Sequence, residues 1–299
     1  MSAPAIYVNL SVPRRAVEAV SAGAEGIGLM RAEFLVYRSG RHPRLLITDA
    51  APNDLGTILA DGMRSVARAM HPRPVFYRSL DLRSNDVSKL LGGAEFEEAE
   101  DNPALGCRGM TRARRDPDVF LAEIAALQQV RGEGYDNLQL LLPFVRWPEE
   151  IEWARECLEA ADRNGTSQVR ISMMVETPGA VLRAKDFAPL VDGVSIGSND
   201  LTQLILGIDR DNIAFAQQDW DEDPAVLSGI EWAIRSYRDL GVPVGICGDG
   251  PSRSEELLRL LLGWGMASIS VSLDRVETLR SMVQDTSPDE ASQPAGEAL

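Results

Sequence analysis

The chain has few of the residues that make a function easy to assign. It holds three cysteines and two histidines among 299 residues, and no CxxC spacing occurs. That excludes a zinc ribbon and a disulfide framework, and it points to reduced thiols and a cytoplasmic location. Positive charge is also short. Thirty lysines and arginines stand against 45 aspartates and glutamates, a formal net charge of −15. Such a chain repels nucleic acid and anionic membrane surfaces, so neither is expected as a partner. No apolar run approaches the ~20 residues of a membrane helix. The opening stretch MSAPAIYVNLSVPRR lacks the basic-then-apolar order of a signal peptide. There is no P-loop, and GAEGIG at 23–28 leads into a strand rather than out of one, so it is no dinucleotide fingerprint.

What is present is alternation. Short runs rich in Val and Ile predict eight strands, over 6–10, 26–30, 74–80, 138–145, 169–175, 193–197, 242–247 and 268–273. Their apolar character is continuous, which indicates strands covered on both faces, as in parallel sheets. Segments of helical period lie between them. DPAVLSGIEWAIRSYRDLG offers Asp223 as N-cap, Pro224 at the first helical position and Gly241 just past the end. SRSEELLRLLLGWG predicts a capping box from Ser252 and Glu255. The pattern is that of an α/β protein, a (β/α)8 TIM barrel in a single domain over residues 1–284. A doubly wound open sheet is the alternative. Residues 285–299, rich in Pro, Ala and Glu, are predicted to be a disordered tail.

In such barrels the functional residues stand at the C-terminal ends of the strands. The predicted ends carry Arg31 and Glu33, Arg78 and Asp81, Glu176, then Ser198, Asn199 and Asp200, and finally Cys247; the loop after strand three adds Arg108. Two carboxylates on adjacent strands, Glu176 and Asp200, can share a hard cation such as Mg²⁺. Arginines around a metal suit a small phosphorylated or carboxylated anion. Each residue alone has an ordinary reading. The arginines could be surface residues paired with nearby acids, and Asp200 could cap a helix as readily as hold a metal. Cys247 could be packing, although its flanking glycines allow a ligand close to the backbone. The convergence of several strands on one rim favours chemistry. Cys107, in a loop, and Cys157, on a helix, are read as structural.

Six segments, in order, also resemble a family: GIGLMRAEFLV, RSLDLRSND, EDNPALGCRGMTR, MMVETPGA, SIGSNDLTQLILGIDRDN and GICGDGPS. They are similar to the signature segments of the PEP-utilising enzymes. That family includes phosphoenolpyruvate (PEP) synthase, pyruvate phosphate dikinase and enzyme I of the sugar phosphotransferase system. The likeness, over residues 6–280, is to the C-terminal barrel of the first of these. It implies a barrel that binds PEP or pyruvate with one Mg²⁺, held by Glu176 and Asp200. It implies phosphate-binding roles for Arg31, Arg78 and Arg108, substrate contacts from Asn199 and Arg210, and an acid/base role for Cys247 at C3 of the substrate. It further implies pyruvate–PEP interconversion by phosphoryl transfer, with a phosphohistidine carrier and an ATP-binding domain. A homodimer is also expected.

Neither His42 (GRHPRL) nor His71 (AMHPRP) has a phosphohistidine context, and both read as ordinary loop or helix-end residues. The carrier is therefore expected on a separate polypeptide. Two further functions remain open on the sequence. One is a Mg²⁺-dependent lyase or aldolase acting on a pyruvate enolate or a related phosphonate. The other is a PEP-sensing module without turnover.

Overall fold

The structure, a computed structural model, describes residues 3–48, 54–162, 168–209, 212–215 and 220–286. Eight strands occur where the sequence predicts them: β1 (Ala5–Leu10), β2 (Gly26–Arg31), β3 (Val75–Arg78), β4 (Leu138–Leu142), β5 (Ile171–Val175), β6 (Gly193–Gly197), β7 (Val244–Cys247) and β8 (Ser268–Val271). All pair in parallel in sequence order, and β8 pairs with β1 to close the barrel. A tight turn cannot join parallel neighbours, so each connection crosses over the outside, mostly as helix. The open-sheet alternative is thereby excluded. The tail predicted over 285–299 lies, from residue 287, outside the described residues.

Successive strand side chains alternate between two surroundings. Outward residues such as Val8, Tyr77, Leu140 and Ile246 pack under the helices in the main core. Inward residues Leu29, Leu141, Met174 and Cys247 form a second, small cluster inside the barrel, with Phe76 against it. Each fully buried aliphatic side chain contributes roughly 1.5–3 kcal/mol.

The helix ends follow local chemistry. Asp54 caps Leu55–Met70 by accepting from Thr57 N at 3.0 Å. Asp223 caps Pro224–Asp239 through Ala225 N at 2.9 Å, as predicted. The capping box expected at Ser252 does not form, and the helix is capped two residues later by a single serine. Ser254 is the N-cap of Glu255–Trp264 and accepts from Leu257 N at 3.1 Å. Ser252 falls in the preceding turn and donates to Asp249 O at 2.7 Å.

The long segment after β3 is tied down on both sides. His42 N donates to Leu91 O at 2.9 Å, and Leu91 N donates to Gly40 O at 2.9 Å. The His42 ring stacks on Phe96, and its Nε2 lies 2.8 Å from Glu97 Oε1. Arg112 pairs with the same carboxylate. His42 is therefore a buried anchor, not the ordinary loop residue the sequence suggests.

The other anchor is Glu123, on the helix Pro117–Gly132. Its Oε2 accepts from the Tyr77 hydroxyl at 2.7 Å and from Leu80 N at 2.8 Å, pinning the end of β3. Burial pushes this carboxyl up to about 8, against the pull of those two donors. A carboxyl raised on folding stabilises the fold below its unfolded pKa. That contribution is lost as pH rises from about 4.5 through about 8. Denaturant titrations should show Glu123→Gln, which keeps the acceptor without the charge, losing about 3 kcal/mol less than the parent between pH 5 and 8. Parallel pH profiles for the two proteins would contradict this placement of the charge.

Candidate active site at the mouth of the barrel

Arg31 and Arg78 are the last residues of β2 and β3, and Cys247 is the last of β7. Glu176 directly follows β5. Asn199 and Asp200 lie in the first turn of the helix Ser198–Leu206, directly after β6. Arg108 ends the segment that follows β3, just before the helix Gly109–Arg115. These seven residues line one cavity of about 260 Å³ at the C-terminal end of the barrel. Arg210 lies outside the described residues.

Arg78 and Arg108 are paired with acids, as one reading of the sequence held, but they are buried rather than on the surface. Arg78 Nη2 donates to Glu33 Oε1 at 2.9 Å, and its Nη1 stands 3.7 Å from Asp81 Oδ2. Arg108, 2% exposed, bridges two carboxylates. Its Nε donates to Asp81 Oδ1 at 2.9 Å and its Nη1 to Asp200 Oδ1 at 3.0 Å, with Nη2 reaching the second oxygen of each. Burial works against the charge of Asp81, yet Arg108 overrides it and holds this carboxyl down to about 2. Asp200 does not cap its helix. Gly197 occupies the N-cap position, and the Asp200 carboxylate is committed to Arg108.

Glu176 is 1% exposed, and its Oε1 accepts from Phe144 N at 2.6 Å. Phe144 takes φ 46°, a left-handed conformation that costs a non-glycine residue of order 1–3 kcal/mol. Its ring packs against the guanidinium groups of Arg108 and Arg146, at 4.1 and 4.5 Å. Gly197 gives Glu176 room on the other side, because a Cβ there would collide with Glu176 Oε2. Burial, and then the charges of Asp200 and Asp81, raise the Glu176 carboxyl well above the usual range.

The cavity also takes in Arg83, Asp86 and Tyr37, which the sequence reading did not single out. Arg83 Nη2 lies 3.9 Å from Asp200 Oδ1. Arg83 and Asp86 share the RSLDLRSND segment with Arg78, and that was the available signal. Phe144 carried none, because strand four reads as bland at its end.

Four arginines thus face five carboxylates, Glu33, Asp81, Asp86, Glu176 and Asp200, and with Glu176 held protonated at neutral pH the formal charges cancel. The arginines are thus balanced by acids, and one divalent cation would turn the balance positive. The donor set fits Mg²⁺. Glu176 and Asp200 supply hard oxygens. Mg²⁺ typically takes only one or two carboxylates, and water or substrate oxygens fill its remaining positions. Arg78 Nε is buried with no hydrogen-bond partner among the described residues, a donor left for an anion.

Cys247 forms the floor of the mouth and is 6% exposed. Its Sγ donates to Ile196 O at 3.4 Å. Burial, and then the Glu176 charge, push the thiol up to about 11, against the Ser195 hydroxyl, Arg31 and Arg78. At neutral pH the resting group is therefore the protonated thiol.

The strand ends of this closed parallel barrel present an acid pair, arginines and a thiol. The family is shown by comparison. The family model for the PEP-binding domain of PEP-utilising enzymes matches residues 2–287, and the chain belongs to that family. It is 37% identical to a probable phosphoenolpyruvate synthase of Methanocaldococcus jannaschii, over 96% of this chain and 24% of that one. It is 40% identical to the phosphoenolpyruvate synthase of Aeropyrum pernix, over 95% of this chain and 35% of the other. With the Deinococcus radiodurans phosphoenolpyruvate synthase the identity is 38%, over 91% of this chain and 38% of the relative. The chain thus spans about a quarter to two fifths of the length of these relatives. A crystal structure of an HpcH/HpaI aldolase/citrate lyase family protein from Burkholderia cenocepacia superposes with a TM-score of 0.54, over 94% of this chain and 93% of that one. At 17% identity that likeness concerns the fold alone.

The position of Glu176 is open to test at Gly197. A methyl group there displaces the carboxylate, so Gly197→Ala should weaken Mn²⁺ binding about tenfold or more, read by calorimetry, with the fold intact. Unchanged affinity would place the cation elsewhere.

Proposed function

We propose that the barrel binds pyruvate or PEP with Mg²⁺ at its mouth and interconverts the two as part of a PEP synthase-type phosphotransferase. The observation that carries this reading is the meeting of Cys247 with the Glu176–Asp200 pair and the arginines in one cavity. Glu176 and Asp200 would hold the metal, which supplies Lewis-acid polarisation of the substrate's keto or enol oxygen. The chain's own groups do the rest. Arg31, Arg78 and Arg108 orient the phosphoryl group and offset its charge, with Arg78 Nε as a free donor. Asn199, exposed at the rim, and Arg210 contribute further substrate contacts. Cys247 gives a proton to C3 when PEP is consumed and removes one from the methyl group when PEP is formed.

The resting thiol is poised for the first of these directions. In the second it must ionise, which burial opposes and the charges of Arg31 and Arg78 favour. The phosphoryl group is passed to or from a phosphohistidine carried outside these residues. His42 is buried against Glu97, and His71 precedes β3 at the opposite end of the barrel. We assign the carrier and its ATP site to a partner of this barrel, in the same or another polypeptide, and the barrel to a homodimer. No described helix is long and apolar enough to cross a membrane, and the three thiols are free, which suits the cytoplasm.

The test is deuterium entry into the methyl group of pyruvate in D₂O with Mg²⁺. The parent protein should catalyse it, and Cys247→Ala should lose it by about 10²-fold or more while still binding pyruvate. Retained exchange in that variant contradicts the role of the thiol. Cleavage of a larger keto acid would indicate the lyase, and binding without exchange a sensor.

A further inference from the structure

Arg146 lies just past β4 and does not line the mouth. Its guanidinium is spent on another segment. Nη1 donates to Arg108 O at 3.3 Å and to Thr111 Oγ1 at 2.9 Å. Nη2 donates to Leu105 O at 3.2 Å and to Gly106 O at 2.8 Å. All these acceptors belong to residues 105–111, the stretch that carries Arg108. Glu150, buried on the helix Pro148–Ala161, closes the clasp from both sides. Its Oε2 accepts from Arg146 N at 2.7 Å, and its Oε1 accepts from the Thr111 hydroxyl at 2.9 Å. The Arg146 guanidinium also packs on the Phe144 ring, at 4.5 Å, the same ring that Arg108 meets at 4.1 Å.

Residues 97–108 form neither helix nor strand, so no backbone ladder fixes where Arg108 stands. Side chains do that work. Glu100 accepts from Cys107 N at 2.8 Å on one side, and Arg146 gathers the carbonyls on the other. We propose that Arg146 is a positioning residue for anion binding, acting through Arg108 and not through the metal. The inference rests on the reading of the mouth as a site for PEP with a divalent cation. Arg108 can present its donors to a phosphoryl group only while its own main chain stays in place. The acids are held by other means. Glu176 is fixed by Phe144 N, a backbone donor, and Asp200 stands on the helix after β6. Loss of the Arg146 guanidinium should therefore loosen the anion side of the mouth and spare the acid pair. A planar fork suits this task, because a lysine ammonium cannot serve the same spread of acceptors while lying flat on a ring.

The experiment is calorimetry on the full chain, with Mn²⁺ alone and then with PEP at saturating Mn²⁺. The parent is compared with Arg146→Gln and Arg146→Lys, each checked by thermal unfolding. Arg146→Gln should weaken PEP binding about tenfold or more. Mn²⁺ affinity without PEP should fall by no more than about twofold, because the acid pair shares no partner with Arg146. Arg146→Lys keeps the charge and some of the donors, so it should lose less, with the same split. A merely loosened fold would weaken both ligands together. The inference is overturned if Arg146→Gln keeps the parent's affinity for PEP, or if Mn²⁺ and PEP weaken by the same factor. Should Arg146→Gln fail to fold, Arg146→Lys decides by the same comparison of the two ligands. A parent protein that takes up Mn²⁺ but never PEP overturns the reading of the mouth itself, and the role of Arg146 falls with it.

Discussion

Arg108 holds the mouth in one piece. Its guanidinium ties Asp81, beyond β3, to Asp200, beyond β6, and lies on the ring of Phe144, beyond β4. Three crossovers distant in sequence are thereby fixed by one side chain. Buried ion pairs recover their desolvation only when their geometry is good, and removing one partner leaves an uncompensated charge. This one is bidentate toward both acids. The group that sets the charge of the mouth is thus also the group that sets its shape.

From that constraint follows a division of labour among the strand ends. The β3 side, secured by Glu123 and by the His42–Glu97–Arg112 group, supplies the arginines. The β5 and β6 side supplies the acid pair, with Phe144 and Gly197 holding Glu176 between them. Cys247 closes the floor, on the boundary between a charged mouth above and a hydroxyl-lined hollow below.

The barrel was legible because its strands are continuous apolar runs and its crossovers have helical period. The rim was legible because strand ends are readable once strands are placed, so Arg31, Arg78, Glu176, Asp200 and Cys247 were found together. Three things were not. The capping serine was misplaced by two residues because a turn consumed Ser252. The buried state of His42 depends on Glu97, 55 positions away, a pairing no local pattern reveals. Phe144 acts through its backbone N–H and an unusual φ, and neither leaves a trace in residue type. The sequence reading left open whether the arginines pair with nearby acids; in the mouth the acids cancel their charge.

That cancellation is the central claim. A mouth whose arginines are offset by acids should bind PEP only after a divalent cation has entered. Calorimetric titration of PEP, with EDTA and then with Mg²⁺, reads this directly. The account predicts no measurable binding without the metal and clear binding with it; equal affinity in the two conditions would contradict it.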